Sequence, residues 1–173
     1  MGLFYICMIY IIDANNLAGK LKMLGHEDFD MELLFMLEEY NRERQKRFIL
    51  VFDGQELMGD KREYGKITLV RSPKDKYFES ADDMVVELVK VNLGLLHMPT
   101  EPGEQVTVIT DDIGLRKRVE KIMEQYGKKL FLMRVTEFAD KLLTSKTEEE
   151  KEDLSEDEMD KISRDLLAQW KDK

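Results

Sequence analysis

The chain has 173 residues, a formal net charge of −9 and a single cysteine. That length suits one ordinary domain with an appendage, and the lone Cys7, set among apolar neighbours, excludes a disulfide framework and suggests an inert thiol in a reducing, cytoplasmic setting. The apolar run from Leu3 to Ile12 is about half of what a bilayer span needs and lacks a basic leader, so neither membrane anchorage nor a signal peptide is expected.

Met8 opens a strand of its own, MIYIID, so the first seven residues read as an upstream-start extension. That strand ends at Ile12. A helix follows from Met31 to Arg44, with Asp28 or Asp30 as its N-cap and Leu33, Leu34, Leu37 and Tyr40 as its apolar face. The second strand is Phe48–Phe52. A polar stretch, Gly54–Gly65, leads to a short strand at Ile67–Val70, and a loop from Arg71 to Ser80 is rich in lysine and aromatics. Ser80 then caps a helix over Ala81–Leu96. Pro99, Pro102 and Gly103 break the chain before a fourth strand, Val106–Thr110. A helix to Tyr126 is closed by Gly127, and a fifth strand, Leu130–Val135, leads into a short helix capped by Thr136.

Strands that are apolar throughout, alternating with helices, imply a mostly parallel sheet between helical layers. Residues 1–143 form this domain. Residues 144–173 are an acidic linker of net charge −5 and a short amphipathic helix. In that helix Ser155 and Glu158 make a capping box, and Leu154, Met159, Ile162, Leu166 and Trp170 form one apolar stripe. It suits docking on the chain's own body or on a protein partner, with plain disorder as the remaining alternative. The body carries the remaining net −4. Acids gathered at one site would leave its other surfaces near neutral, so charge argues only weakly against a polyanionic ligand.

The aspartates carry the chemistry. Asp13, Asp53 and the pair Asp111 and Asp112 each follow an apolar strand, and Asp82 and Asp83 open a helix. In parallel sheets the carboxyl ends of the strands are where ligands bind. Several carboxylates there repel one another unless a hard cation neutralises them, which points to Mg²⁺ or Mn²⁺. The plainer alternative is that each aspartate only caps a helix or starts a turn. No Gly-rich phosphate loop is present, and His26 and His97, in unrelated contexts, suit neither a zinc site nor a triad. A phosphoacceptor receiver with Asp53 as acceptor is a weaker reading, because acids stand after the fourth strand where such a domain carries Thr or Ser.

IIDANN, ILVFDG, SADDMVVELV and VTVITDD, in this order and spacing, resemble the NYN branch of the PIN-like nucleases, especially the bacterial YacP-like group. The resemblance covers residues 8–140 and leaves the acidic tail outside. It implies a three-layer α/β fold with a five-stranded sheet in the order 3-2-1-4-5, and metal-dependent endoribonuclease activity. It also implies that Asp13, Asp82, Asp83 and Asp112 are catalytic metal ligands, with Asn16 as a supporting amide beside Asp13. Ala14 stands where the family motif has Gly, and Asp111 stands where it has Ser. Asp53 matches the family's Phe-Asp-Gly element, and Asp53 and Asp111 are expected in supporting roles.

An RNA substrate needs a basic path to the acids. Lys61, Arg62, Arg71, Lys74 and Lys76 lie in the two long loops, with Tyr64, Tyr77 and Phe78 as stacking surfaces, and Arg116 follows Asp112 by one helical turn. The expectation is cleavage of single-stranded RNA, free or held on the ribosome, by water activated at a divalent metal. The competing expectation is a PIN-like module that holds RNA or protein without cutting.

Overall fold

The computed structural model describes residues 8–54, 58–74, 80–95 and 105–152, with side chains up to residue 145 apart from Lys128. The elements run β1 (Met8–Asp13), α1 (Ala14–Lys20), α2 (Phe29–Asn41), β2 (Arg47–Phe52), β3 (Asp60–Tyr64), β4 (Ile67–Arg71), α3 (Ala81–Asn92), β5 (Gln105–Ile109), α4 (Ile113–Tyr126), β6 (Leu130–Met133) and α5 (Val135–Glu152). One six-stranded sheet has the order β3-β4-β2-β1-β5-β6, parallel throughout except where β3 meets β4.

Successive strand residues face opposite sides of a sheet, so a strand covered on both sides is apolar at every position. Tyr10, Ile12, Phe48, Leu50, Phe52 and Leu69 face one layer, where they pack with Leu17 of α1, Leu33 and Leu37 of α2, and Phe138 and Leu142 of α5. Ile9, Ile11, Ile49, Val51, Val106 and Val108 face the other, against Val85 and Val89 of α3 and Leu115 and Val119 of α4. The first layer has an aromatic centre. The Tyr10 ring stacks on Phe48 at 5.1 Å, and Tyr40 meets Phe138 edge-on at 5.8 Å.

The parallel strands reproduce the expected order 3-2-1-4-5, with the antiparallel β3 added at one edge as a sixth strand. The sequence reading took β3 as part of a polar stretch because its residues, DKREY, bury no face. It pairs with β4 through a turn at Gly65 and Lys66, where Gly65 has φ +56°, a conformation that favours glycine at the first turn position. The reading also missed α1, whose sequence ANNLAGK is too short and too rich in asparagine and glycine to stand out. α2 starts two residues earlier than expected, and β6 stops at Met133 rather than Val135. α5 continues past Leu143 to Glu152, so the start of the acidic segment is helical, with Ser145 buried. The amphipathic stripe from Leu154 to Trp170 lies outside the described residues. The topology also removes the receiver alternative, in which β1 would lie between the second and third parallel strands; here β1 lies between β2 and β5.

Leaving β2, the chain passes directly over the end of β4. The Gly54 N–H donates to Ser72 Oγ at 3.2 Å, and a Cβ on Gly54 would stand 1.7 Å from the Ser72 carbonyl oxygen. Gly54→Ala therefore forces two backbones apart and should cost about 2–3 kcal/mol. Gly25→Ala, with nothing within 4 Å of the new methyl, should be near neutral. Thermal denaturation of the two variants checks this, and equal melting temperatures would show that the β2 exit is not clamped.

Candidate active site

Parallel strands end on one edge, so the order β4-β2-β1-β5 sets their terminal residues side by side. Asp13 ends β1, Asp53 follows β2, and Thr110, Asp111 and Asp112 follow β5. β1 feeds β2 on one side while β5 flanks it on the other. The chain reverses its direction of winding at this point, where ligand crevices form in open α/β sheets.

Asp13 is the most enclosed of these acids, at 6% exposure. Its Oδ1 accepts the Asn16 N–H at 3.1 Å and caps α1. Its Oδ2 accepts the Asn16 side-chain amide at 2.7 Å and the Thr110 hydroxyl at 3.0 Å. Burial raises its pKa, these hydrogen bonds oppose the rise, and the charge of Asp53 adds to it. The fully buried Thr110 then joins two acids, because its Oγ1 also accepts the Asp112 N–H at 3.1 Å.

Asp112 accepts the Leu115 N–H at 2.7 Å and caps α4. Asp82 receives no hydrogen bond from a described residue. Its pKa is pushed up to about 6, first by burial, then by the charges of Asp112 and Asp13, with Asp53 adding and Arg118 opposing. Acids from β1, β2, β5 and α3 thus feel one another as charges at one place. Asp83 stands beside them in an ion pair with Arg118 of α4 at 2.7 Å.

The two remaining acids serve neighbouring helices. Asp53 accepts the Asn15 side-chain amide at 2.8 Å and the Ala81 N–H at 2.9 Å. Asp111 accepts the Val135 N–H, at the start of α5, at 3.2 Å. The plainer sequence alternative, helix capping, therefore holds for Asp13, Asp53, Asp111 and Asp112, and it does not remove the charge they bring together. Asn15 and Arg118 were missed by sequence reading, and Thr110, matched as part of the Thr-Asp-Asp motif after β5, was given no role. Asn15 lies inside the first-strand motif, and Arg118 carried no signal beyond a basic helix.

The expected basic path is mostly paired with acids. Lys61 meets Glu63 at 2.7 Å and Arg62 meets Asp60 at 2.8 Å. Arg71 pairs with Asp30 and reaches Asp60 at 3.5 Å. Arg62, Arg71 and Lys74 nonetheless line a cleft of about 1060 Å³ that reaches Asn15 and Asp53. Arg116 turns to the main chain and donates to the Thr110 carbonyl at 3.0 Å. Tyr64 packs against the core. Lys76, Tyr77 and Phe78 lie outside the described residues.

A divalent cation fits the donor set chemically. The groups are hard carboxylate oxygens, mutually repelling, and among the described residues Asp82 has no hydrogen-bond donor of its own. Among the described residues no three potential ligands are grouped tightly enough to enclose an ion. The acids stand within electrostatic reach of one another.

A carboxyl whose folded pKa lies above its unfolded value destabilises the fold once it ionises. The Asp82 contribution is absent below pH about 4, where both states are protonated, and is complete above about 6. In the metal-free protein Asp82→Asn should therefore be neutral near pH 4 and stabilising by roughly 1–2 kcal/mol at pH 7, the shift being discounted for solvent screening. Denaturation midpoints in EDTA across this range test it. A constant difference between variant and parent would show that Asp82 does not titrate in this window.

Comparison with known proteins agrees with this architecture. The chain matches the YacP-like NYN domain family over residues 10–173, a span that takes in the acidic tail. Its fold is similar to the crystal structure of Rae1 (YacP) from Bacillus subtilis, with a TM-score of 0.59 and 19% identity, over 83% of this chain and 79% of that one. No curated protein matches the chain. NYN domains are generally nuclease domains. With the family matched along almost its whole length, this chain belongs to the YacP-like NYN domain family.

Proposed function

We propose that the chain is a metal-dependent endoribonuclease that cuts single-stranded RNA at the carboxyl edge of its sheet. The observation that carries this reading is the state of Asp82, pushed up to about 6 first by burial and then by the charges of Asp112 and Asp13, which arrive from separate strands. Structural caps need no such crowding, and a divalent cation relieves it.

Asp13, Asp82 and Asp112 would hold Mg²⁺ or Mn²⁺, with Asp83 beside them once its pairing with Arg118 is exchanged for the ion. Bound there, such an ion lowers the pKa of water and offsets charge on the phosphodiester oxygens. Asn16 and Thr110 fix the Asp13 carboxylate through three hydrogen bonds, so its oxygens are set before substrate arrives. Arg62, Arg71 and Lys74 line the cleft beside Asp53, and an RNA backbone, free or on the ribosome, would compete with Asp30 and Asp60 for the two arginines.

In EDTA the protein should bind a single-stranded RNA and leave it intact, and Mn²⁺ or Mg²⁺ should start cleavage. Ca²⁺, larger and looser in coordination, should support little turnover. Asp13→Asn and Asp112→Asn should each reduce cleavage by at least about 100-fold while the protein remains folded. If calorimetry finds no Mn²⁺ binding and RNA stays whole with every metal, the domain is a binding module. Undiminished cleavage by both variants would remove these acids from the site.

A further inference from the structure

Asp53 carries the family's strand-end acid, but its hydrogen bonds describe a different task from that of Asp13 or Asp112. Ser80 occupies the N-cap position of α3 with no side-chain capping bond. The first N–H of the helix, on Ala81, is instead taken by Asp53 Oδ1 at 2.9 Å, from the end of β2. The other oxygen, Oδ2, accepts the Asn15 side-chain amide at 2.8 Å, and Asn15 lies two residues beyond Asp13. A relay therefore runs from the end of β1, through Asn15 and Asp53, to the residue just before Asp82.

We propose that Asp53 is a positioning residue rather than a metal ligand, and that the Asn15–Asp53–Ala81 relay sets the first turn of α3, with Asp82, against Asp13. A helix first turn presents N–H groups with no partner inside the helix, and a local side chain normally serves them. Here that service comes from another strand, so the cap also fixes where the helix begins relative to the sheet. Asp13 also has both oxygens engaged, but by the helix that follows it and by Thr110, whereas the bonds of Asp53 tie the start of α1 to that of α3, a helix begun elsewhere in the chain.

The test separates acceptor from charge. Asp53→Asn keeps a carbonyl oxygen for the Ala81 N–H and, with the Asn15 amide turned over, a bond to Asn15. Asp53→Ala keeps neither, and Asn15→Ala removes one arm only. Hydrogen exchange of the Ala81, Asp82 and Asp83 amides should quicken about fivefold in Asp53→Ala, less in Asn15→Ala, and little in Asp53→Asn. Calorimetric Mn²⁺ affinity should stay within about threefold of the parent in Asp53→Asn and fall at least about tenfold in Asp112→Asn.

The cleavage arm rests on the nuclease reading, and there Asp53→Asn should recover most of what Asp53→Ala loses. Mn²⁺ affinity lost equally in Asp53→Asn and Asp112→Asn would make Asp53 a ligand and overturn the proposal. Unchanged exchange at Ala81 in Asp53→Ala would overturn it as well. A parent protein that cuts no RNA would end the nuclease reading and leave the exchange result standing as the test of the relay.

Discussion

The carboxylate of Asp13 accepts one main-chain and two side-chain hydrogen bonds at the central strand end, and the rest of the edge is arranged around it. Its capping bond starts α1 directly after β1. Its bond from Thr110 fixes the neighbouring strand, and through the Asp112 N–H that same hydroxyl fixes the start of α4. An ionised group at 6% exposure survives only if it is this well solvated by the protein. The hydrogen bonds offset part of the burial cost, and the uncompensated part appears as the raised pKa.

Capping and charge collection are one device here. Parallel βα units put a helix N-terminus beside each strand end, and an aspartate there meets an unpaired N–H and the positive end of the helix. Asp13 and Asp112 cap the helices that follow them, whereas Asp53 and Asp111 reach helices begun elsewhere in the chain. Each bond is favourable alone. Together they concentrate negative charge, and Asp82, which receives no such bond from a described residue, is raised by burial and then by that charge. The local rule and the collective effect coexist because a carboxylate has more acceptor sites than one cap requires.

The parallel core was legible because its signal is redundant. FILVF is apolar throughout and VTVI is apolar but for Thr107, and an acid follows the first at once and the second after Thr110. The strand order and the place of Asp82 beside Asp13 and Asp112 were expected only through the family resemblance, because periodicity alone gives neither. What stayed hidden lacked hydrophobic periodicity. α1 is held by a cap and by the burial of Ala14, Leu17 and Ala18, and β3 is held by main-chain pairing, the packing of Tyr64 and the contact of Asp60 with Arg71. Partner choice was equally hidden. Arg71 and Arg116 read as cations free for phosphate, yet Arg71 pairs with acids and Arg116 with main-chain carbonyls. Such pairings join residues distant in sequence, and no local pattern encodes them.

The hairpin strand β3 has a further consequence for how the molecule behaves among its own copies. A sheet edge presents unpaired N–H and C=O groups, a template onto which another chain can add a strand. Without β3, that edge would be β4, whose Ile67, Leu69 and Val70 are buried and whose backbone would invite such pairing. β3 covers it with Asp60, Lys61, Arg62 and Glu63, alternately paired in Asp60–Arg62 and Lys61–Glu63 ion pairs along the strand. An incoming strand would have to desolvate this charged ladder, so the segment with few apolar residues of its own insulates this edge of the sheet from strand addition.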